Sequence, residues 1–172
     1  MREPEWLTAD ERSVWLRTAA VLELLPAALD AQLTRDEELT HFEYFVLASL
    51  SEASERTLRT TTLAAMTTAT LPRLSRVLTG LDKKGFVERS ACTEDRRAKN
   101  VTLTPDGWEK VVRTAPGHVA NVRRLVFDQL TPLQVDQLSE IAAALLTTLD
   151  PESRMFASLD TGSSRQQPGS TS

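Results

Sequence analysis

Arg73 and Arg76 stand three residues apart, and Gly80 and Lys83 continue the row at helical spacing. Beside it runs Leu71, Leu74, Leu78 and Leu81, stepping three, four, three, which is one buried face of a helix. The cationic row cannot all be buried, so it faces water or an anion. A guanidinium in the first turns of an exposed helix can fork onto O6 and N7 of guanine. Thr70 and Ser75 add hydroxyls for bases or phosphate, and Leu71 and Pro72 offer apolar contact to a thymine methyl. Further on come Arg96, Arg97 and Lys99, with Asp95 ahead of them. Arg97 suits a minor groove, and Arg96 and Lys99 suit phosphate. Any one of these cations alone reads as a solvated surface charge. Together, at these spacings, they read as a surface for double-stranded DNA.

These groups need elements to hold them. Leu63, Ala64 and Met66 are the apolar side of a short helix, and Thr67, Thr68, Ala69 and Thr70 make a turn. The second helix ends in Lys83, Lys84, Gly85 and Phe86. The lysines complement the dipole, Gly85 suits the left-handed residue after the cap, and Phe86 packs back on Leu81 as in a Schellman ending. Phe86 to Arg89 and Asn100 to Thr104 alternate as strands around a charged loop. A helix-turn-helix followed by a basic hairpin is a winged helix, its second helix fitted to a major groove and its hairpin to a minor one.

At this point the chain resembles the MarR family of transcriptional regulators. The resemblance is carried by Leu63-Ala64, the helix from Leu71 to Leu81, and Lys84-Gly85-Phe86-Val87-Glu88-Arg89. It continues in Asp95-Arg96-Arg97-Ala98 and Leu103-Thr104-Pro105-Asp106-Gly107, and covers roughly residues 8 to 149. One departure is Cys92-Thr93-Glu94, where the family often has Asp-Pro-Arg. The resemblance implies a homodimer, usually a repressor, on an inverted-repeat operator. It also implies that Asp95 holds Arg97 through a salt bridge. A lipophilic or phenolic effector between the dimer layer and the DNA-binding lobes is implied as well. Trp15, Phe42, Tyr44 and Phe45 are the side chains for such a crevice, and they equally suit a plain core or interface.

The whole chain sets bounds. With 172 residues, aromatics at 5% and only 6 glycines, it favours one mainly helical domain. The net charge of −4 argues against nucleic acid until its distribution is read. Residues 56–113 hold twelve Lys/Arg against six Asp/Glu, while the remainder holds eight against eighteen. A basic region in an acidic protein is an electrostatic footprint. One cysteine rules out an intrachain disulfide. The acidic N-terminus lacks the apolar stretch of a signal peptide, and no apolar run suits a membrane span, so the expected location is cytoplasmic.

Taken in order, Thr8-Ala9-Asp10-Glu11 is a capping box opening a helix to about Leu33, with Pro26 predicting a kink or break near Leu25. Its stripe Leu22, Leu25, Leu29 and Leu33, with Val14 and Trp15 upstream, exceeds what a small winged helix can cover and calls for a partner subunit. Arg35 to Glu38 reads as a charged linker. Thr40 and Glu43 form a second capping box, with Leu39 and Tyr44 as a staple and Phe42, Phe45, Val46 and Leu50 inward. Ser51 to Arg59 reads as a polar connector. Thr104-Pro105 opens a helix toward Leu130, with a bend or interruption expected at Pro116-Gly117. Thr131-Pro132 opens the last, with Leu138, Ile141, Leu145 and Leu149 inward. The expected fold is mainly α: a three-helix winged helix-turn-helix with its wing over 35–103, and dimerisation helices over 1–34 and 104–149. Residues 150–172 form a polar tail, expected to be disordered.

Other chemistries are weaker. His41, His118 and Cys92 lie far apart in sequence, so no metal or other cofactor is expected, and His41 reads as a first-turn surface residue. No serine elbow, carboxylate pair, phosphate loop or Cys-His pair suggests an enzyme. Two alternatives stay open. One is a winged-helix module that binds protein, which the stripe Arg73, Arg76 and Lys83 argues against. The other is a redox-responsive regulator through Cys92, for which an incidental thiol is the simpler reading.

Overall fold

Thr8 Oγ1 accepts the Glu11 N–H at 3.2 Å while the Glu11 carboxylate accepts the Thr8 N–H at 2.8 Å. This capping box starts α1 (Ala9–Glu37) in the computed structural model, which describes residues 5–91 and 99–155. Of the kink or break that the sequence predicts near Leu25, the break does not occur: α1 stays helical through Pro26 for 29 residues. Pro26 removes the bond to the Leu22 carbonyl, and Leu22 is exposed, so water can serve the freed acceptor. The charged run from Arg35 is no linker but the last turn of α1. Glu38 closes it with φ 54, its N–H on the carbonyls of Leu33 and Thr34.

Thr40 and Glu43 form the box that starts α2 (His41–Glu52), and both staple residues, Leu39 and Tyr44, are buried. A 3-10 turn (Ser54–Arg56) then leads into β1 (Thr57–Arg59), inside the stretch expected to be a connector. Three residues are too few for alternation to be visible; pairing with a later strand makes this one. α3 (Thr60–Met66) and α4 (Leu71–Lys83) follow, then β2 (Val87–Ala91) and β3 (Lys99–Leu103). The antiparallel sheet has the order β1-β3-β2, with Thr57 opposite Thr102 and Val87 opposite Leu103. α5 (Pro105–Leu125) is continuous through Pro116. The carbonyl that proline frees belongs to Val112, again exposed. A 3-10 turn (Phe127–Gln129) replaces the expected last turn of α5 and leads to α6 (Pro132–Leu149).

The core lies inside the winged helix. Leu33, Leu39, Val46, Leu47, Leu50, Leu63, Leu74, Leu78, Leu81, Val87 and Val101 pack in one cluster. Each such burial contributes about 1.5–3 kcal/mol before entropy is counted. The two ends of the chain behave differently. α1 buries Leu29, Gln32 and Leu33, all in its last third, and α6 buries no residue. Leu138, Ile141, Leu145 and Leu149, expected inward, are exposed. Among the described residues no helix is long and apolar enough to cross a membrane.

Candidate nucleic-acid interface

α4 is the element to which the candidate contacts belong. Thr70 Oγ1 caps it, accepting from the Arg73 N–H at 3.4 Å, and Pro72 sits in the first turn, where no N–H is needed. Leu74, Leu78 and Leu81 anchor its inner face. Leu71, predicted for the same face, is instead 50% exposed, because the helix start overhangs the core. The outer surface carries Pro72, Arg73, Ser75, Arg76, Thr79, Asp82 and Lys83. At about 100° per residue, Arg76 and Lys83 point straight out, while Arg73 lies roughly 60° from Arg76. Its guanidinium carbon sits 4.3 Å from the centroid of the Phe42 ring on α2. Two arginines that share one row in sequence therefore have different surroundings.

Both flanks of α4 are tied down. At its end Gly85 takes φ 75, the Phe86 N–H reaches the Leu81 carbonyl at 3.0 Å and the Gly85 N–H reaches Asp82 at 2.9 Å. This is the Schellman ending read from sequence. Lys84 Nζ donates to the Glu38 carbonyl at 3.1 Å and to Glu43 at 3.2 Å, fixing the end of α4 to the α1–α2 corner. On the wing side, Arg89 of β2 donates to Thr79 Oγ1 at 3.1 Å. The sequence reading missed Thr79, although its place three residues after Arg76 put it on the same face. Lys99 is exposed at the base of β3, and its carbonyl accepts from Thr60 Oγ1 at 2.9 Å. Cys92, Asp95, Arg96 and Arg97 lie outside the described residues.

The run Leu103-Thr104-Pro105-Asp106-Gly107 now has a physical reading. Thr104 Oγ1 caps α5 by accepting from the Gly107 N–H at 3.0 Å, and it donates to the Gly85 carbonyl at 2.6 Å. A Cβ on Gly107 would lie 2.1 Å from the Phe86 carbonyl oxygen. The start of α5 is thus pressed against the turn that ends α4.

The four aromatic candidates do not gather at one place in the chain. Phe42 is half-buried under Arg73, Phe45 is half-buried on α2, and Tyr44 is buried with its ring 4.7 Å from His118 of α5. Trp15 is 55% exposed, roughly 22 Å of helix away from Asp30. His41, expected at the surface, is half-buried, and its ring lies 6.1 Å from that of His118. The backbone N–H of His41 donates to the Asp30 carboxylate at 2.8 Å. Burial lowers the pKa of His41 against the opposing pull of Asp30, and burial with the nearby His41 lowers that of His118. At this α1–α2–α5 junction, Gln32 Oε1, His118 Nδ1 and Asn121 Nδ2 are buried without a hydrogen-bond partner among the described residues. Lys110 donates to Glu37 at 2.7 Å nearby and holds that carboxyl below its ordinary range, against the cost of burial. Among the described residues no group of three or more His, Cys, Asp or Glu is placed to hold a metal ion.

Comparison with known proteins matches this geometry. The MarR family model matches residues 39–99, from the residue pair ahead of α2 to the start of β3. The fold superposes with a TM-score of 0.83 on Sco3205, a MarR family transcriptional regulator from Streptomyces coelicolor, in a crystal structure in complex with DNA. The two are 42% identical, covering 91% of this chain and 97% of that one. AbsC, a MarR family regulator from the same organism, is 33% identical over 85% of this chain and 98% of its own, with a TM-score of 0.80. The HTH-type transcriptional repressor YetL of Bacillus subtilis is 27% identical over 60% of this chain and 68% of its own length. With its cationic helix, its wing strands and a fold shared along nearly the whole length of such relatives, the chain belongs to the MarR family of DNA-binding transcriptional regulators.

Proposed function

We propose that the protein is a homodimeric, sequence-specific repressor that places α4 of each subunit in a major groove and each wing in a minor groove of an inverted repeat. The observation that carries this is the outer face of α4, where Arg76, Ser75, Thr79 and Lys83 stand exposed beside a wing strand tied to the same helix. Thr70, Leu71, Pro72 and Arg73 would flank that face, and Arg96, Arg97 and Lys99 would extend it, with Asp95 orienting Arg97. Dimerisation is supported by the open apolar surface at both chain ends. Val14, Trp15, Leu16, Val21, Leu22 and Leu24 of α1 are exposed, as is the whole apolar row of α6. Exposed apolar side chains in this number are what a second copy covers.

A small effector bound between the dimer layer and the winged helix is the regulatory part of this reading. Its support is the α1–α2–α5 junction, where three buried polar atoms want partners.

The test is a gel shift with duplex from the gene's own upstream region, at low and moderate salt because phosphate contacts weaken steeply with salt. Retarded duplex that an equal mass of scrambled duplex does not compete away supports the reading. No retardation of any duplex at low salt would hand the fold to the protein-binding alternative. Sedimentation at micromolar concentration should give twice 19.1 kDa; a clean monomer would remove the dimer.

A further inference from the structure

We propose that Phe42 is a positioning residue that sets base preference through Arg73. The inference rests on α4 reading a DNA groove, and it adds a residue from outside the helix-turn-helix to that reading. Phe42 belongs to the first turn of α2 and packs against the core, so its ring is held in place. The Arg73 guanidinium carbon lies 4.3 Å from the ring centroid, within the range of a cation–π contact. The next residue, Glu43, takes the Lys84 ammonium at 3.2 Å at the far end of the same helix. Two successive side chains of α2 therefore hold α4 from one flank, one near its start and one at its end.

The chemistry explains why an aromatic ring suits this place. A guanidinium that forks onto guanine uses its in-plane N–H donors, whereas contact with a ring uses its face. The two contacts are compatible, so Phe42 can confine Arg73 without consuming its donors. An unrestrained arginine loses much rotamer freedom when it binds a base; one already confined loses less. Among the described residues Arg76 has no such ring contact on the outer face, which assigns Arg73 the more demanding, geometry-dependent contact. The base so recognised would be a guanine at the edge of each half-site nearest α2.

The experiment is a double-mutant cycle of affinity for a duplex that the wild-type protein selects from a randomised pool. Phe42→Leu keeps an apolar side chain in the core and removes the ring. It should weaken binding roughly three- to fivefold, the range of an exposed cation–π contact, and flatten the preference at one base pair of each half-site. Phe42→Tyr should restore both. In an Arg73→Ala background Phe42→Leu should change nothing further. Equal losses in both backgrounds would mean general damage to the fold and overturn the proposal. So would tighter binding by Phe42→Leu, which would make the ring a store that keeps Arg73 off the DNA. Failure of the wild-type protein to select any duplex would instead overturn the DNA reading, which keeps the two failures apart.

Discussion

Arg89 on the wing strand β2 donates to Oγ1 of Thr79 on α4 at 3.1 Å, so the base of the wing and α4 are held at one spacing. In the proposed DNA complex, contacts in two grooves would need that spacing to match the duplex. Thr79→Val removes the acceptor without changing charge, which separates the tie from generic attraction to phosphate. It should weaken DNA binding by about 0.5–1.5 kcal/mol, the usual net worth of such a bond. Arg89→Ala should cost more, because it also removes a cation. Once Arg89 is gone, Thr79→Val should add little. Strictly additive losses in that cycle would show that the bond does not set the spacing.

Asp95 and Arg97 are expected to act as a unit at the wing, in residues outside those the structure describes. Simple electrostatics says that Asp95→Ala, which removes a negative charge near phosphate, should tighten DNA binding. Orientation of Arg97 by Asp95 says that it should weaken binding nearly as much as Arg97→Ala, with the double variant little worse. Affinities measured at one fixed salt decide between them. Tighter binding by Asp95→Ala would reduce Arg97 to one more surface cation.

Two glycines should respond in opposite directions to alanine. At Gly107 the new Cβ would meet the Phe86 carbonyl oxygen at 2.1 Å, a backbone atom that can move only if the α4–α5 corner opens. Gly107→Ala should destabilise by at least about 2 kcal/mol. At Gly80 the new Cβ meets only Glu43 Oε1, at 4.0 Å, the end of a side chain. Gly80→Ala should stabilise by up to about 1 kcal/mol through helix propensity. Urea denaturation of the two variants reads both signs, and a neutral Gly107→Ala would contradict the close approach.

His41 and His118 should make stability fall on mild acidification. Both have lowered pKa values in the folded chain, chiefly through burial, so the fold resists protonation more than the unfolded chain does. Their contribution is complete above the unfolded value of about 6.5 and is lost as pH falls below it toward the lowered folded values. The thermal midpoint should therefore drop between about pH 7.5 and about pH 5, and His118→Gln should flatten that drop. An unchanged slope in the variant would place the acid sensitivity in other groups.

How much of this was legible beforehand depends on the range of the interaction concerned. The capping boxes at Thr8, Thr40 and Thr131 and the Schellman ending at Gly85 are made within a few residues, so residue types at fixed offsets are enough to reveal them. The leucine row of α4 is equally local, a period of one helix, and it failed only at Leu71, where the core ends before the helix does. At Pro26 and Pro116 a break was only one of two readings the sequence allowed, and it is absent: both helices run on, each where water reaches the carbonyl that the proline frees. β1 was invisible because three residues hold no pattern until β3 pairs with them.

Local sequence thus determined the winged-helix plan, the helix with the cationic outer face and the surplus apolar surface at both ends of the chain. Tertiary structure decided which side chains meet across that plan. It set Arg73 on Phe42, joined Arg89 to Thr79, and brought His41 and His118 from α2 and α5 to rings 6.1 Å apart. Such contacts join side chains on separate elements, and no local period encodes them. They follow from the angles at which α2, α4, α5 and the wing pack on one leucine core, which is settled by the packing as a whole.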